Sequence, residues 1–309
     1  MKPLTAFALP FVVATAVIAI AAQQRGEPQP QPLSIRTELV TLPVSVVDAD
    51  GGFVTDLRRE QFAVYDNGEP QRIEFFSNED LPLTIGLVLD SSASMRTHRN
   101  TVTAAAAAFA AMSDPLDQFF TVNFNERVWL GLPGNVPFTE DWGQLHAALA
   151  RAPAYGMTAL HDAVDLALDH IRLGTHARKA LIVVSDGGDN ASSHTRDAVL
   201  QHARESETVI YAVTLIDRDD RETNPRVMKT LASETGGRAF APRDADEVIR
   251  SFEQIARELR SGYEIGFAPS DESGGFHLVR VAVDSGDRRR LSARTRVGYY
   301  AERPAAPER

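Results

Sequence analysis

Leu83-Thr84-Ile85-Gly86-Leu87-Val88-Leu89, running straight into Asp90-Ser91-Ser92-Ala93-Ser94, is the stretch that decides the fold. An apolar run this continuous does not suit a strand with one wet face; it predicts a strand buried on both sides of a parallel sheet. Ala180-Leu181-Ile182-Val183-Val184 is a second such run, and Ser185-Asp186-Gly187-Gly188-Asp189 follows it. Around these two, strand and helix patterns alternate. Asn100 to Met112 reads as an alanine-rich helix stopped by Ser113-Asp114-Pro115, and Phe119 to Phe124 and Arg127 to Leu132 as strands. Asp141 to Ala150 and Ala159 to Arg172 read as helices, Arg196 to Glu205 as another, and Val209 to Val213 as a strand. Pro225 to Thr235 is a helix ending at Gly236-Gly237, Arg238 to Ala241 a short strand, and Ala245 to Leu259 a closing helix. Repeated strand-helix units of this kind predict an α/β domain over 81–260, with a doubly wound, mostly parallel, Rossmann-like sheet.

Outward from that domain the pattern is β on both sides. Leu39 to Val47 is rich in β-branched residues and closes at Asp50-Gly51; Gln61 to Tyr65 closes at Asp66-Asn67-Gly68; Gln71 to Phe76 is a third strand. This N-terminal β segment, 34–80, is too short to stand alone. A C-terminal β segment, 261–301, carries Tyr263 to Phe267, Phe276 to Val283 and Arg290 to Val297. Three strands on either flank predict one small β-sandwich built from both ends of the chain, with the α/β domain inserted in it. The 302–309 tail reads as disordered.

The first residues address the compartment. Lys2 precedes Leu4 to Ala22, a stretch without charge, and Ala19-Ile20-Ala21 places small residues where a signal peptidase reads them. The expectation is a signal peptide over 1–22, with an uncleaved anchor as the alternative, since such a stretch is just long enough to span a bilayer. The Pro/Gln-rich linker 23–33 reads as extended. Either way the rest is exported, periplasmic or secreted, and no later segment is apolar enough to span a membrane.

The 309 residues carry 43% hydrophobic and 24% charged side chains, an ordinary globular balance for a chain long enough to hold one large domain and a smaller one. A formal charge of -10 argues against a nucleic-acid partner, which needs a basic face. Arg288-Arg289-Arg290 reads as a solvated turn. With no cysteine in the chain, thiolate catalysis, disulfides and zinc–thiolate sites are excluded.

In a doubly wound sheet ligands bind beyond the carboxyl ends of the central strands, so the residues after the two apolar runs matter most. Each run ends in a carboxylate, Asp90 and Asp186, and Tyr155-Gly156-Met157-Thr158 adds a hydroxyl at the start of a helix. Asp90, Ser92, Ser94, Thr158 and Asp186 offer oxygen donors only, the chemistry of a hard divalent cation. In a loop leaving a strand, alternate side chains face one centre, so Asp90, Ser92 and Ser94 are expected to converge while Ser91 and Ala93 turn away. Two carboxylates neutralise such an ion, and neutral hydroxyls leave it electrophilic enough to take an outside carboxylate from an Asp or Glu of a protein partner.

Asp90-x-Ser92-x-Ser94-Met95 after an apolar strand, Thr158 in Gly-Met-Thr-Ala-Leu and Asp186 in Val-Val-Ser-Asp-Gly together resemble the metal-ion-dependent adhesion site of von Willebrand factor type A (vWA) domains, found also in integrin I domains. Five positions in three separated segments fit. The resemblance implies Ser92, Ser94 and Thr158 as hydroxyl ligands, and Asp90 and Asp186 acting directly or through water. Mg²⁺ is the implied ion, with Mn²⁺ or Ca²⁺ as substitutes. It also implies a last helix, Ala245 to Leu259, that shifts in some relatives when ligand binds. Val44-Ser45-Val46-Val47-Asp48, Phe62 to Pro70 and Gly298-Tyr299-Tyr300 resemble an exported bacterial vWA-related group common in acidobacteria. That group implies compartment and architecture, and no activity.

Other readings compete. Ser94 or Thr97 is a natural cap for the helix that follows. A serine hydrolase would use Ser92 with His161 or His194, yet Ser92 lacks the G-x-S-x-G elbow and no spacing ties a histidine to it. Asp189 reads as a loop acid or as a holder of metal-bound water. Asp217 to Glu222 lacks the central glycine and distal glutamate of a calcium loop and reads as a solvated connection. The expectation is therefore a non-enzymatic, metal-dependent binder; the alternative is a scaffold subunit with a structural metal and a partner docked on the β-sandwich.

Overall fold

The computed structural model describes residues 39–151, 154–216, 223–271, 273–286 and 290–301. The expected signal peptide and linker, the 217–222 run, Arg288, Arg289 and the 302–309 tail lie outside the described residues. Among the described residues no helix is long and apolar enough to cross a membrane.

The chain opens with four strands, β1 (Val40–Val47), β2 (Phe62–Asp66), β3 (Glu69–Gln71) and β4 (Ile73–Ser77), where the sequence predicted three. The additional strand is three residues long and contains Pro70. It exists because Asn67 and Gly68, with φ of 49° and 90°, fold the chain tightly back onto β2. As the edge of its sheet it tolerates a proline.

β5 (Leu83–Asp90) starts the α/β part and every one of its residues is buried. Then come α1 (Arg99–Ala111), β6 (Gln118–Phe124), β7 (Val128–Leu130), α2 (Trp142–Arg151), α3 (Leu160–Ile171) and β8 (Arg178–Ser185). α4 (Arg196–Glu205), β9 (Val209–Thr214), α5 (Pro225–Glu234), β10 (Ala239–Phe240) and α6 (Ala245–Arg260) complete it. The six strands form one sheet in the order β10-β9-β8-β5-β6-β7, parallel except for the β6–β7 hairpin at one edge. From β5 the chain winds out to β6 and β7, then returns to β8 on the other side. The direction of winding thus reverses at β5, which opens a crevice beyond its carboxyl end.

Strand alternation supplies both faces. Leu83, Ile85, Leu87 and Leu89 pack with Phe109 of α1 and Phe252 and Ile255 of α6; Val88, Phe120, Val122, Leu181 and Val183 pack under α3, α4 and α5. Gly86 sits on the second face, and a Cβ there would run into the Phe120 ring and Leu181. α5 stops where the sequence places its end: Gly236 takes φ of 85° and the Gly237 amide donates to the Ala232 carbonyl at 2.9 Å.

After α6 the chain adds β11 (Tyr263–Phe267), β12 (Gly275–Val283), β13 (Ser292–Arg294) and β14 (Gly298–Ala301), again four strands where three were expected. Of the predicted run Arg290 to Val297 only Ser292–Arg294 is strand: β13 pairs with β1, and the chain then leaves that sheet for β14, beyond the run, which pairs with β12 in a different one. The orders are β13-β1-β11-β4 and β14-β12-β2-β3, so each four-stranded sheet draws two strands from each flank. Leu42, Val44, Ile265 and Phe267 from one and Phe62, Val64, Val281 and Tyr299 from the other share a single apolar core. The expected sandwich of both chain ends is thus the arrangement observed.

Candidate functional site

The carboxyl ends of β5 and β8 lie side by side, since Leu89 pairs with Val184 in parallel register. The next residues out are Asp90 and Ser185, and the Ser185 hydroxyl donates to Asp90 Oδ2 at 2.7 Å. Asp90 Oδ1 accepts the Ser92 amide at 2.8 Å. That bond bends the chain at once, and Ala93 is already in the right-handed helical region at φ −62°, ψ −36°, with a 3-10 turn over Ser94–Thr97. The loop is therefore not extended as strand alternation would have it. Ser92 and Ser94 still converge, through a tight turn, with their hydroxyl oxygens 3.1 Å apart. Ser94 then donates to Asp186 Oδ2 at 2.7 Å.

These contacts also settle the capping alternative. α1 is preceded by His98, with no side-chain hydrogen bond at its cap, and the Ser94 hydroxyl goes to Asp186.

Thr158 is held between the two strand-end loops by main-chain bonds. On one side Tyr155 N–H donates to the Ser91 carbonyl at 3.0 Å and Ala93 N–H to Gly156 O at 3.3 Å. On the other, Asn190 and Ala191 amides both donate to the Thr158 carbonyl at 3.0 Å, and the Thr158 amide donates to Asn190 Oδ1 at 2.8 Å. Gly156 has φ of 85°, and the Glu126 carboxylate fills the space a Cβ would need, accepting the Met157 amide at 3.1 Å. A linked chain of hydrogen bonds thus joins Asp90, Ser92, Ser94 and Asp186, and Thr158 is brought against both loops by its backbone.

Burial dominates the electrostatics. Asp90 is only 7% exposed, and desolvation pushes its carboxyl up to about 6; the Ser92 and Ser185 hydrogen bonds hold it back, while the charge of Asp186 pushes it further up. After burial, the groups that act most on it are Ser92, Ser185 and Asp186. Asp186, at 4% exposure, is buried as well. Among the described residues no three His, Cys, Asp or Glu side chains group as a metal site. The donor set here is of another kind, two carboxylates completed by hydroxyls. An oxygen-only cluster with two buried carboxylates has the chemistry to hold a hard divalent ion.

Asp189 has a role the sequence did not reveal. It accepts from His161 Nδ1 at 2.9 Å and from the Ser192 hydroxyl at 2.5 Å. Burial would raise Asp189, but these hydrogen bonds outweigh it and hold the carboxyl below its ordinary range. His161 is thereby committed to Asp189, and His194 likewise points its Nδ1 at Asp162, 2.8 Å away. The Ser92 hydroxyl is engaged with Ser94 and with Asp90. Sequence reasoning also missed Ser185, Asn190 and Glu126. The register of the two apolar runs, aligned end to end, was signal enough to set Ser185 beside Asp90. His161 and Asp189 each follow a site residue by three positions, a matched offset that hints at their pairing. Nothing local marks Asn190 or Glu126.

No curated protein matches this sequence. Among solved structures, a von Willebrand factor type A protein from Catenulispora acidiphila overlays with a TM-score of 0.51 at 14% identity, covering 77% of this chain and 73% of its own. Proximal thread matrix protein 1 from the mussel byssus, with a zinc-occupied MIDAS motif, overlays with the same TM-score of 0.51 and identity of 14%, over 63% of this chain and 49% of that one. At such identities the likeness concerns the fold. The family model for the von Willebrand factor type A domain matches residues 84–255, more than half of the sequence and the whole α/β sheet apart from its first residue and the end of α6, and the chain belongs to that family.

Proposed function

We propose that the protein is a non-enzymatic, divalent-metal-dependent protein-binding module of adhesion type, working outside the cytoplasm. The observation that carries this reading is the pair of buried carboxylates, Asp90 and Asp186, linked through Ser94 and Ser92. In this reading Ser92, Ser94 and Thr158 supply hydroxyl oxygens, and Asp90 and Asp186 act directly or through water. The bound ion, Mg²⁺ with Mn²⁺ or Ca²⁺ able to replace it, supplies positive charge that the two carboxylates neutralise without exhausting. The protein's own residues do the rest. Ser185 and the Ser92 amide orient Asp90, Gly188 N–H donates to Asp186 Oδ1 at 2.9 Å, and Asn190 and Glu126 fix the Thr158 loop.

The partner contributes an Asp or Glu carboxylate to the ion. The mussel byssus protein, whose motif of this type is occupied by zinc, supports a metal at the corresponding place in this fold. The charge-free stretch from Leu4 to Ala22 supports export.

Pull-downs from a cell-envelope extract test the reading, with wild type in Mg²⁺, wild type in EDTA, and Asp90→Ala in Mg²⁺. A partner captured only by the first supports it. Capture that survives both chelation and substitution overturns it.

A further inference from the structure

Asp90, Ser92, Thr158 and Asp186 are buried and Ser94 is half-buried, so a partner that reaches them also meets what stands around them. Much of that surround is apolar. Tyr155 is 52% exposed, Met157 53% and Ile216 44%, all at the carboxyl end of the central sheet. Tyr155 and Met157 flank Gly156 on the β6 side of the site, where the Ala159 amide donates to the Asn125 carbonyl at 2.8 Å. Ile216 stands on the β9 side, next to Leu215, whose amide donates to the Ser185 carbonyl at 3.1 Å.

Single exposed apolar side chains are ordinary on a protein surface. Position and rigidity set these apart. The Tyr155 amide is held by the Ser91 carbonyl, the Gly156 carbonyl by the Ala93 amide, and the Met157 amide by the Glu126 carboxylate. The loop cannot turn its apolar side chains inward without breaking the bonds that support Thr158. A side chain presented on such a fixed backbone loses little freedom when a partner covers it.

Charge says which partner. The chain carries a formal charge of -10, yet Arg96 and Arg127 are both exposed at this rim. Arg96 lies on the turn after Ser94 and reaches the Ala154 carbonyl at 3.5 Å; Arg127 lies in the β6–β7 hairpin beside Glu126. The acids nearby are engaged within the protein, Glu126 by the Met157 amide and Asp189 by His161 and Ser192. Tyr, Met and Arg are residue types that protein interfaces favour, and exposed cations favour an acidic partner.

We propose that this rim selects an acidic protein segment in which the ion-binding Asp or Glu stands next to a large apolar residue. The apolar side chain covers Tyr155 and Met157, and further acids of the segment meet Arg96 and Arg127. The proposal rests on the metal-dependent reading of the site and adds a specificity the ion lacks, since any exposed carboxylate satisfies an ion.

Selection from a random dodecapeptide library displayed on phage tests it, with capture in Mg²⁺ and release by EDTA. The released sequences should share Asp or Glu beside Phe, Tyr, Trp, Leu, Ile or Met, and carry net negative charge. A synthetic peptide of the commonest sequence should bind saturably, and about tenfold more weakly once its apolar residue is replaced by Ser. Tyr155→Ser and Met157→Ser, each checked for folding by circular dichroism and read at a Mg²⁺ concentration that saturates it, should weaken that peptide about fivefold to tenfold. Arg96→Glu should weaken it too and flatten its salt dependence. Released sequences with an acid but no apolar neighbour, or binding unchanged in both serine variants, overturn the proposal. Apolar peptides without an acid, retained through EDTA, also overturn it, since they mean a contact independent of the metal. Calorimetry with Mg²⁺ separates the two readings: heat without any EDTA-released peptide overturns this proposal alone, whereas no heat overturns the metal reading and this proposal with it.

Discussion

Replacing Asp90 by asparagine in metal-free protein should make the fold more stable at pH 8, the reverse of what removing a well-bonded buried group ordinarily does. Burial pushes the Asp90 carboxyl up to about 6 from the ordinary 3.8. With the folded value above the unfolded one, the native state holds more protons between the two, so its stability falls as pH rises through that window. At about 1.4 kcal/mol per pH unit, keeping the side chain charged at pH 8 costs about 3 kcal/mol. Asparagine is neutral and of the same shape, so it escapes this cost. It weakens the contact with the Ser185 hydroxyl, worth about 1 kcal/mol. The net gain is about 1–2 kcal/mol, or roughly 2–8 °C in Tm for a domain of this size. Thermal unfolding in EDTA from pH 3.5 to 8 provides the assay. Asp90→Asn should lead wild type at pH 8, and the lead should vanish below about pH 4, where both side chains are neutral. A variant less stable than wild type at pH 8, or a difference that ignores pH, refutes the view that Asp90 is an uncompensated buried carboxylate.

Three further outcomes follow from the contacts described. Ser94→Ala removes the hydroxyl between Ser92 and Asp186, and should lower Mn²⁺ affinity about tenfold, read by titration against electron paramagnetic resonance of the free ion. In the sandwich, His277 Nδ1 meets Asp66 at 3.0 Å, its Nε2 meets the Ser273 carbonyl at 2.9 Å, and Tyr299 donates to Asp66 at 2.9 Å, with His277, Asp66 and Tyr299 all buried. Burial alone would lower His277, but those hydrogen bonds outweigh it and hold it above 6.5, so this stability is complete below pH 6.5 and is lost as pH rises through the raised value. Asp66→Ala should cost about 3–5 kcal/mol by stranding both partners, and should abolish that part of the pH dependence in urea unfolding. Gly86→Ala should cost about 1–3 kcal/mol or more, because the new methyl meets the Phe120 ring and Leu181 in a core with no room; denaturant titration measures it.

The central sheet was legible because both of its deepest strands, at 83–89 and 180–184, are apolar on both faces and flanked by helices with clear stops. Periodicity does not see pairing. The run from Arg290 to Val297 looks like one strand by composition, yet only Ser292–Arg294 is strand, paired with β1, before the chain crosses to the other sheet at Gly298, and β3 exists only because Asn67-Gly68 turns the chain. At the site, residue types and order were enough to nominate Asp90, Ser92, Ser94, Thr158 and Asp186 as candidates, since each lies near the end of a recognisable element. The path of the first loop was not legible. A hydrogen bond from the Ser92 amide to Asp90 turns an expected extension into a 3-10 turn, and such local side-chain-to-backbone bonds leave no periodic trace. The support of Thr158 by Asn190 and Glu126 was equally hidden, because both contacts join segments far apart in sequence.

Calorimetric titration of the EDTA-stripped, dialysed protein with Mg²⁺ tests the central claim most directly. Wild type should bind a single ion, Mn²⁺ should compete for it, and Asp90→Ala and Asp186→Ala should each abolish the heat while remaining folded by circular dichroism. Binding of equal strength in both variants, or no saturable binding in wild type at millimolar Mg²⁺, would contradict the assignment of Asp90, Ser92, Ser94, Thr158 and Asp186 as a metal site.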